Sequence, residues 1–282
     1  MKFKLNTLVA AVVLSVTAMS ANAEITPSNG NSELVFSAWD ADAEIGYTYD
    51  LNWDKFLNDL VGIDQAATAA GNTLLAANAK VSSSLIGTNG IIFDDVLTGL
   101  PFTGASLENA QWNLAAFDNV GRTRLLITQD ANGLPFASTN NQSKAAVTAL
   151  ATQVITANGV IVDPSLEDGY AVSSIADGAG YAGIYGAGYV NNLSKTTNVF
   201  GATSNMFLLA QTTQASSAAP SFLQQLTSVD GASIVAKTYL QDGQWRLQIA
   251  AVAAVPEPET YAMLLAGLGF IGAIARRRNK QA

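Results

Sequence analysis

The chain has 282 residues, 49% of them hydrophobic and only 13% charged, with a formal net charge of −8 and neither Cys nor His. Without Cys there is no disulfide, thiolate nucleophile or iron–sulfur ligation; without His there is no Ser-His-Asp triad, facial triad or His-bound zinc. An acidic chain is also a poor partner for nucleic acid, whose phosphates are bound by Lys and Arg.

The charge is unevenly spread. Residues 1–23 and 255–282 hold six of the 14 basic residues but two of the 22 acidic ones, so the segment 24–254 carries a formal −12. The first 23 residues begin with Lys2 and Lys4, continue with an unbroken apolar run from Leu8 to Leu14, and end in Ala21-Asn22-Ala23. A positive start, a short apolar core and a small-x-small site describe a secretory signal peptide cut after Ala23, with Ala21 and Ala23 as the cleavage-site residues. Glu24 is then the expected mature N-terminus.

The body opens with a polar lead-in at 24–32. Residues 33–38 and 43–49 read as two strands around Asp40-Ala41-Asp42, with Ile45, Tyr47 and Tyr49 alternating. From Asp54 to Val61 the period changes: Phe56, Leu57, Leu60 and Val61 share one side of a helix. The Ala-rich stretch 63–81 suggests a second helix, interrupted at Gly71. Asn89–Phe93 reads as a short strand, with Asp94 and Asp95 in the turn after it. Residues 111–117 and 123–128 read as a hairpin around 118–121. Residues 140–154 have helical spacing in Ala146, Val147, Leu150 and Val154, with Asn141 or Ser143 as the cap. The glycine-rich run 178–188 predicts tight strands or a close-packed loop. Phe200 and Met206–Leu209 suggest a strand, and 211–220 a polar hinge. Residues 233–240 and 244–253 form a final hairpin around Gln241-Asp242-Gly243. There Trp245, Leu247 and Ile249 share one face, and that alternation is the clearest strand signal in the chain.

These elements predict a mainly β body, a single β-sandwich or jelly-roll-like domain with two or three helical insertions. A signal helix precedes it and a hydrophobic helix follows it. The alternative is an α+β domain with its helices grouped on one sheet face.

The last 28 residues, from Val255, are organised differently. Pro256 and Pro258 hold Val255-Pro256-Glu257-Pro258-Glu259 extended. Thr260 to Ala275 is 16 residues without a charge, roughly 24 Å as a helix. That is short against a hydrocarbon core of about 30 Å, and spans with tilt or thinning. Arg276, Arg277, Arg278 and Lys280 follow at once, which favours the cytoplasmic side for the end of a transmembrane helix over 260–275.

Val255-Pro256-Glu257-Pro258, the apolar run and Arg276-Arg277-Arg278 together resemble the PEP-CTERM sorting signal of Gram-negative bacteria: a Pro-Glu-Pro motif, a transmembrane helix and a terminal Arg cluster. The resemblance covers only this tail. It implies recognition by an exosortase, a membrane-embedded cysteine protease or transpeptidase, and a surface or extracellular protein of bacteria that make exopolysaccharide and biofilm. Such tails are also labelled ice-binding protein C-terminal domains; the shared part is the sorting tail, so ice binding is not implied for the body. The implied partners are signal peptidase, the secretion translocon, the exosortase and exopolysaccharide. The implied route is export across the inner membrane, transient anchoring by the C-terminal helix, and then the cell surface or medium.

Within the body, Asp40, Asp42 and Glu44 are the best acidic cluster. Alternate carboxylates on an extended chain are hard oxygen ligands of the kind Ca²⁺ takes. Their spacing is not that of an EF-hand loop, and a solvated turn is the simpler reading. No Gly-x-Ser-x-Gly, Ser-x-x-Lys or phosphate-loop motif is present, and no Gly-x-Gly-x-x-Gly stands after a predicted strand; close chain packing is the better explanation of the glycines in 178–188. Aromatic faces stack on sugars. Trp39, Trp53, Trp112, Trp245 and the Tyr47/Tyr49 pair are candidates by type, although the alternation around Trp245 places it in a core. The expectation is a noncatalytic exported surface or matrix protein without a cofactor. The alternatives are a carbohydrate-binding or calcium-dependent adhesive module and a secreted hydrolase using a carboxylate pair.

Overall fold

The computed structural model describes residues 27–28, 31–51, 80–118, 122–129, 138–160, 169–186, 189, 193, 196–213 and 217–253. The strands are β1 (Pro27–Ser28), β2 (Asn31–Ser32), β3 (Val35–Asp40), β4 (Ile45–Asp50), β5 (Lys80–Val81) and β6 (Ile91–Val96). Helix α1 (Ala105–Asn109) precedes β7 (Gln111–Asp118) and β8 (Arg124–Gln129), and α2 (Asn140–Ala157) precedes β9 (Tyr170–Ser174). Then come β10 (Asn198–Val199), β11 (Thr203–Ala210), β12 (Phe222–Gln225), β13 (Thr227–Ser228), β14 (Ser233–Gln241) and β15 (Gln244–Val252).

β1 and β2 pair with each other, and the other thirteen described strands form one sheet. Its main order is β6-β15-β14-β11-β8-β7-β3-β4-β9, antiparallel throughout, while β5 joins β13 in parallel. The body is therefore mainly β with helical insertions, as its alternation predicts. In place of two independent sheets, the ladders join a single mixed sheet that curls.

Period-two alternation decides which side chains the curl encloses. Phe36, Tyr47, Tyr49, Trp112, Leu114, Leu126, Met206, Leu208, Ile234, Leu247 and Ile249 fall on one face and make the larger core. Their neighbours Val35, Ala115, Phe117, Leu125, Ile127 and Leu209 fall on the other face and pack under α2. The curl brings β6 and β4, near opposite ends of the strand order, into contact. Tyr49 Oη donates to Asp95 Oδ2 at 3.1 Å, and Tyr47 Oη donates to the Thr98 carbonyl at 2.6 Å. Side chains rather than a ladder make this closure, so the described strands do not form a closed barrel.

Helix α2 buries Ala146, Val147, Leu150 and Val154, the face its spacing predicts. Its cap is Thr139, not Asn141 or Ser143. The Thr139 hydroxyl accepts from Gln142 N at 3.3 Å, and Gln142 Oε1 accepts from Thr139 N at 2.9 Å. This is a Thr-x-x-Gln capping box.

Several expectations change. Asp94 and Asp95 lie inside β6, not in a turn, because the edge of β15 is open there and pairs with them. The segment expected to hinge at 211–220 is pinned to the start of α2 where it is described. Asn140 Nδ2 donates to Thr212 Oγ1 at 3.0 Å and Ser217 Oγ at 3.2 Å, and Thr212 N donates to Asn140 Oδ1 at 2.9 Å. Within the glycine-rich run the expected close packing is found at Gly183, where a Cβ would come 2.8 Å from the Trp39 ring, but not at Gly178 or Gly186, where a Cβ would meet nothing within 4 Å. The helices expected over 54–61 and 63–81 fall outside the described residues, apart from β5 at the end of the second.

The transmembrane helix is also corrected. Among the described residues no helix is long and apolar enough to cross a membrane. The longest, α2, has 18 residues but carries an exposed polar stripe of Lys144, Thr148 and Thr152 opposite its buried face. Residues 260–275 themselves, like the signal helix, lie outside the described residues.

Candidate functional site

The acidic turn joins β3 to β4. Asp40 ends β3 and is buried, and its Oδ1 accepts from Asp42 N at 2.9 Å and Ala43 N at 3.2 Å. The carboxylate thus shapes the turn in the manner of short polar turn residues. Asp42 and Glu44 are exposed, and Glu44 has the left-handed φ of 56°. Asp40 and Asp42 border a cleft of about 250 Å³ with Asn109 and Gln111. Glu44 does not line it, and no group of three acidic residues among those described is placed to hold a metal.

Asp94 and Asp95, adjacent in a strand, point to opposite faces and cannot converge on one substrate. Asp94 lies on the outer face of the β14–β15–β6 end. It accepts from Tyr239 Oη at 2.7 Å, Arg246 Nε at 2.8 Å and Gln248 Nε2 at 2.6 Å. Burial pushes its carboxyl up, but the bonds from Tyr239, Gln248 and Arg246 outweigh that and hold it below its ordinary value. Arg246 is held above its ordinary value, chiefly by the same Asp94 bond. Asp95 faces inward, toward Tyr49. Burial, with smaller contributions from Tyr49, Tyr170 and Asp95, raises the Tyr47 phenol well above its ordinary value. Both carboxylates therefore sit in structural networks.

A second ion pair lies at the end of the β7–β8 hairpin. Asp118 Oδ2 accepts from Arg124 Nε at 2.9 Å and Nη2 at 2.5 Å, and both side chains are fully buried. Sequence reading passed over it, although opposite charges flanking a predicted hairpin turn were a visible signal.

Of the aromatic candidates, Trp39, Trp112, Tyr47 and Tyr49 are buried, which removes their faces from any sugar. Trp53 lies outside the described residues. Trp245 differs from the rest. It packs at the margin of the larger core, 5.1 Å from the Phe200 centroid, and is half-buried. Together with Leu100, Phe102, Thr103, Leu107 and Gln244 it lines an open cleft of about 530 Å³. This cleft lies between the turn of the β14–β15 hairpin and the β6–α1 connection. Sequence alternation gave the inward direction of Trp245 but not its position at the mouth of the core.

The sorting residues Val255, Pro256, Glu257, Pro258, Arg276, Arg277 and Arg278, and the cleavage residues Ala21 and Ala23, lie outside the described residues. Comparison with known families places a PEP-CTERM protein-sorting motif on residues 254–279. The chain thus carries this sorting tail, which supports export, cell-surface localisation and involvement of the exosortase system. No curated protein and no solved structure matches the chain.

Proposed function

We propose that this is a noncatalytic cell-surface or extracellular-matrix protein, a β-rich body delivered by signal peptidase, the secretion translocon and an exosortase. The sorting motif at 254–279 is the observation that carries this reading. The structure adds support from the body: the carboxylates of Asp40, Asp94, Asp95 and Asp118 serve a turn, tyrosines and ion pairs, the pattern of a packed scaffold. Exopolysaccharide is the proposed neighbour outside the cell.

The test is fractionation of producing cells, with intact mass and terminal sequencing of the mature protein. Loss of residues 1–23 and an exosortase-dependent change at the C-terminal end are expected. Replacing Pro256-Glu257-Pro258 with alanines is expected to abolish that change. A protein whose ends and distribution are the same with and without the exosortase would overturn the proposal.

A further inference from the structure

The geometry points to a binding site for a neutral oligosaccharide in the cleft at the turn of the β14–β15 hairpin, with Trp245 as its stacking surface. Its volume of about 530 Å³ is within the usual range for small-molecule pockets of about 300–1,000 Å³. None of the described residues lining it is ionisable, although the body around it carries a formal −12. Charge complementarity therefore selects an uncharged ligand. The lining then divides into two chemistries. Trp245 and Leu100, both half-buried, offer apolar surface, as the apolar face of a pyranose ring requires. Thr98, Thr103 and Gln244 are exposed and line the same cleft. Two hydroxyls and an amide, each able both to donate and to accept, match a ligand whose edges are hydroxyl groups.

The walls are fixed before any ligand arrives. Trp245 is held in β15 opposite Leu240 and against the Phe200 ring. The connection after β6 is tied down by Leu97 N donating to the Trp245 carbonyl at 2.9 Å and by Tyr47 Oη donating to the Thr98 carbonyl. Such preorganisation lowers the ordering cost of binding. A purely apolar partner would leave the two threonines and Gln244 desolvated without replacement bonds. The site concerns the body alone, so it stands or falls independently of the sorting tail.

The experiment is calorimetry and tryptophan fluorescence on the full exported chain purified from producing cells. The probes are neutral hexaoses of glucose and of N-acetylglucosamine, with an oligogalacturonate as the anionic control. At least one neutral hexaose is expected to bind and change the fluorescence, and the anionic oligomer to bind more weakly. Trp245→Ala risks the fold because of its Phe200 contact. The exposed Thr103→Trp, which fills the cleft from its rim, is therefore the main variant and should weaken binding about tenfold or more. Gln244→Ala should weaken it less, and Asp94→Asn, outside the cleft, not at all. Absence of binding by every neutral hexaose at millimolar concentration would overturn the inference, as would binding that Thr103→Trp leaves unchanged. A dimer dissolved by Leu240→Ser, with no sugar bound, would also overturn it and assign the cleft to a second copy of the chain.

Discussion

Replacing Asp118 with Ala should cost more stability than any exposed substitution in the protein. Asp118 and Arg124 face one another across the β7–β8 ladder, and Arg124 is flanked on its other side by Ala210 of β11. Both side chains are buried, and a single carboxylate oxygen accepts two guanidinium bonds at 2.9 and 2.5 Å. A guanidinium stays charged when it is buried. Asp118→Ala therefore leaves a desolvated cation with its nearest carboxylate removed, at a cost of about 3–5 kcal/mol. Against a typical total of about 5–15 kcal/mol that is a third or more of the stability. Urea unfolding of the full chain, followed by tryptophan fluorescence, should show the midpoint falling accordingly. The double variant Asp118→Leu/Arg124→Met removes both charges and should return to within ~1 kcal/mol of the natural protein or exceed it. A single variant losing less than ~1 kcal/mol, or a double variant as unstable as the single, would refute the reasoning that taking this carboxylate away from a buried cation is the dominant cost.

Gly46→Ala in β4 should destabilise by about 1–3 kcal/mol, since a Cβ there would come 2.9 Å from the Ala182 backbone nitrogen and 2.8 Å from the Tyr181 ring; an unchanged thermal midpoint would contradict this. Thr139→Ala should cost about 1 kcal/mol through the lost cap of α2, measured by urea unfolding, and Thr139→Ser should restore most of it. Asp94 has a lowered pKa in the folded protein, so its contribution is present above the unfolded value of about 3.9 and is lost as the pH falls through the folded value. The stability gap between the natural protein and Asp94→Asn should accordingly close on acidification below that point; a gap independent of pH would contradict it. Tyr47 is shifted the other way: its contribution is complete below about pH 10 and is lost at higher pH, so spectrophotometric titration should find this phenol ionising late. Ionisation of Tyr47 at the ordinary value in the folded protein would count against its burial.

Features that depend on neighbours along the chain were legible without coordinates. The final hairpin was legible because Trp245, Leu247 and Ile249 alternate and Asp242-Gly243 supplies the two left-handed residues of its turn, at φ 52° and 78°. The inward face of α2 was legible from Ala146, Val147, Leu150 and Val154, and the sorting tail from a linear order of motifs that an enzyme reads as a linear order. Even the capping box at Thr139–Gln142 was there to be read. The remaining features depend on contacts between residues far apart in the chain. Asp94 and Asp95 look like turn residues until β15, about 150 positions later, offers its edge. Tyr47 and Tyr49 look like candidate sugar platforms until the curl of the sheet lays β6 across them. The polar run after β11 looks like a hinge until Asn140 binds it. Trp245 alternates like any core residue, and only the end of the sheet leaves it beside an open cleft. Local periodicity fixes which way a side chain points; the curl of the sheet determines whether it meets core, a partner strand or solvent.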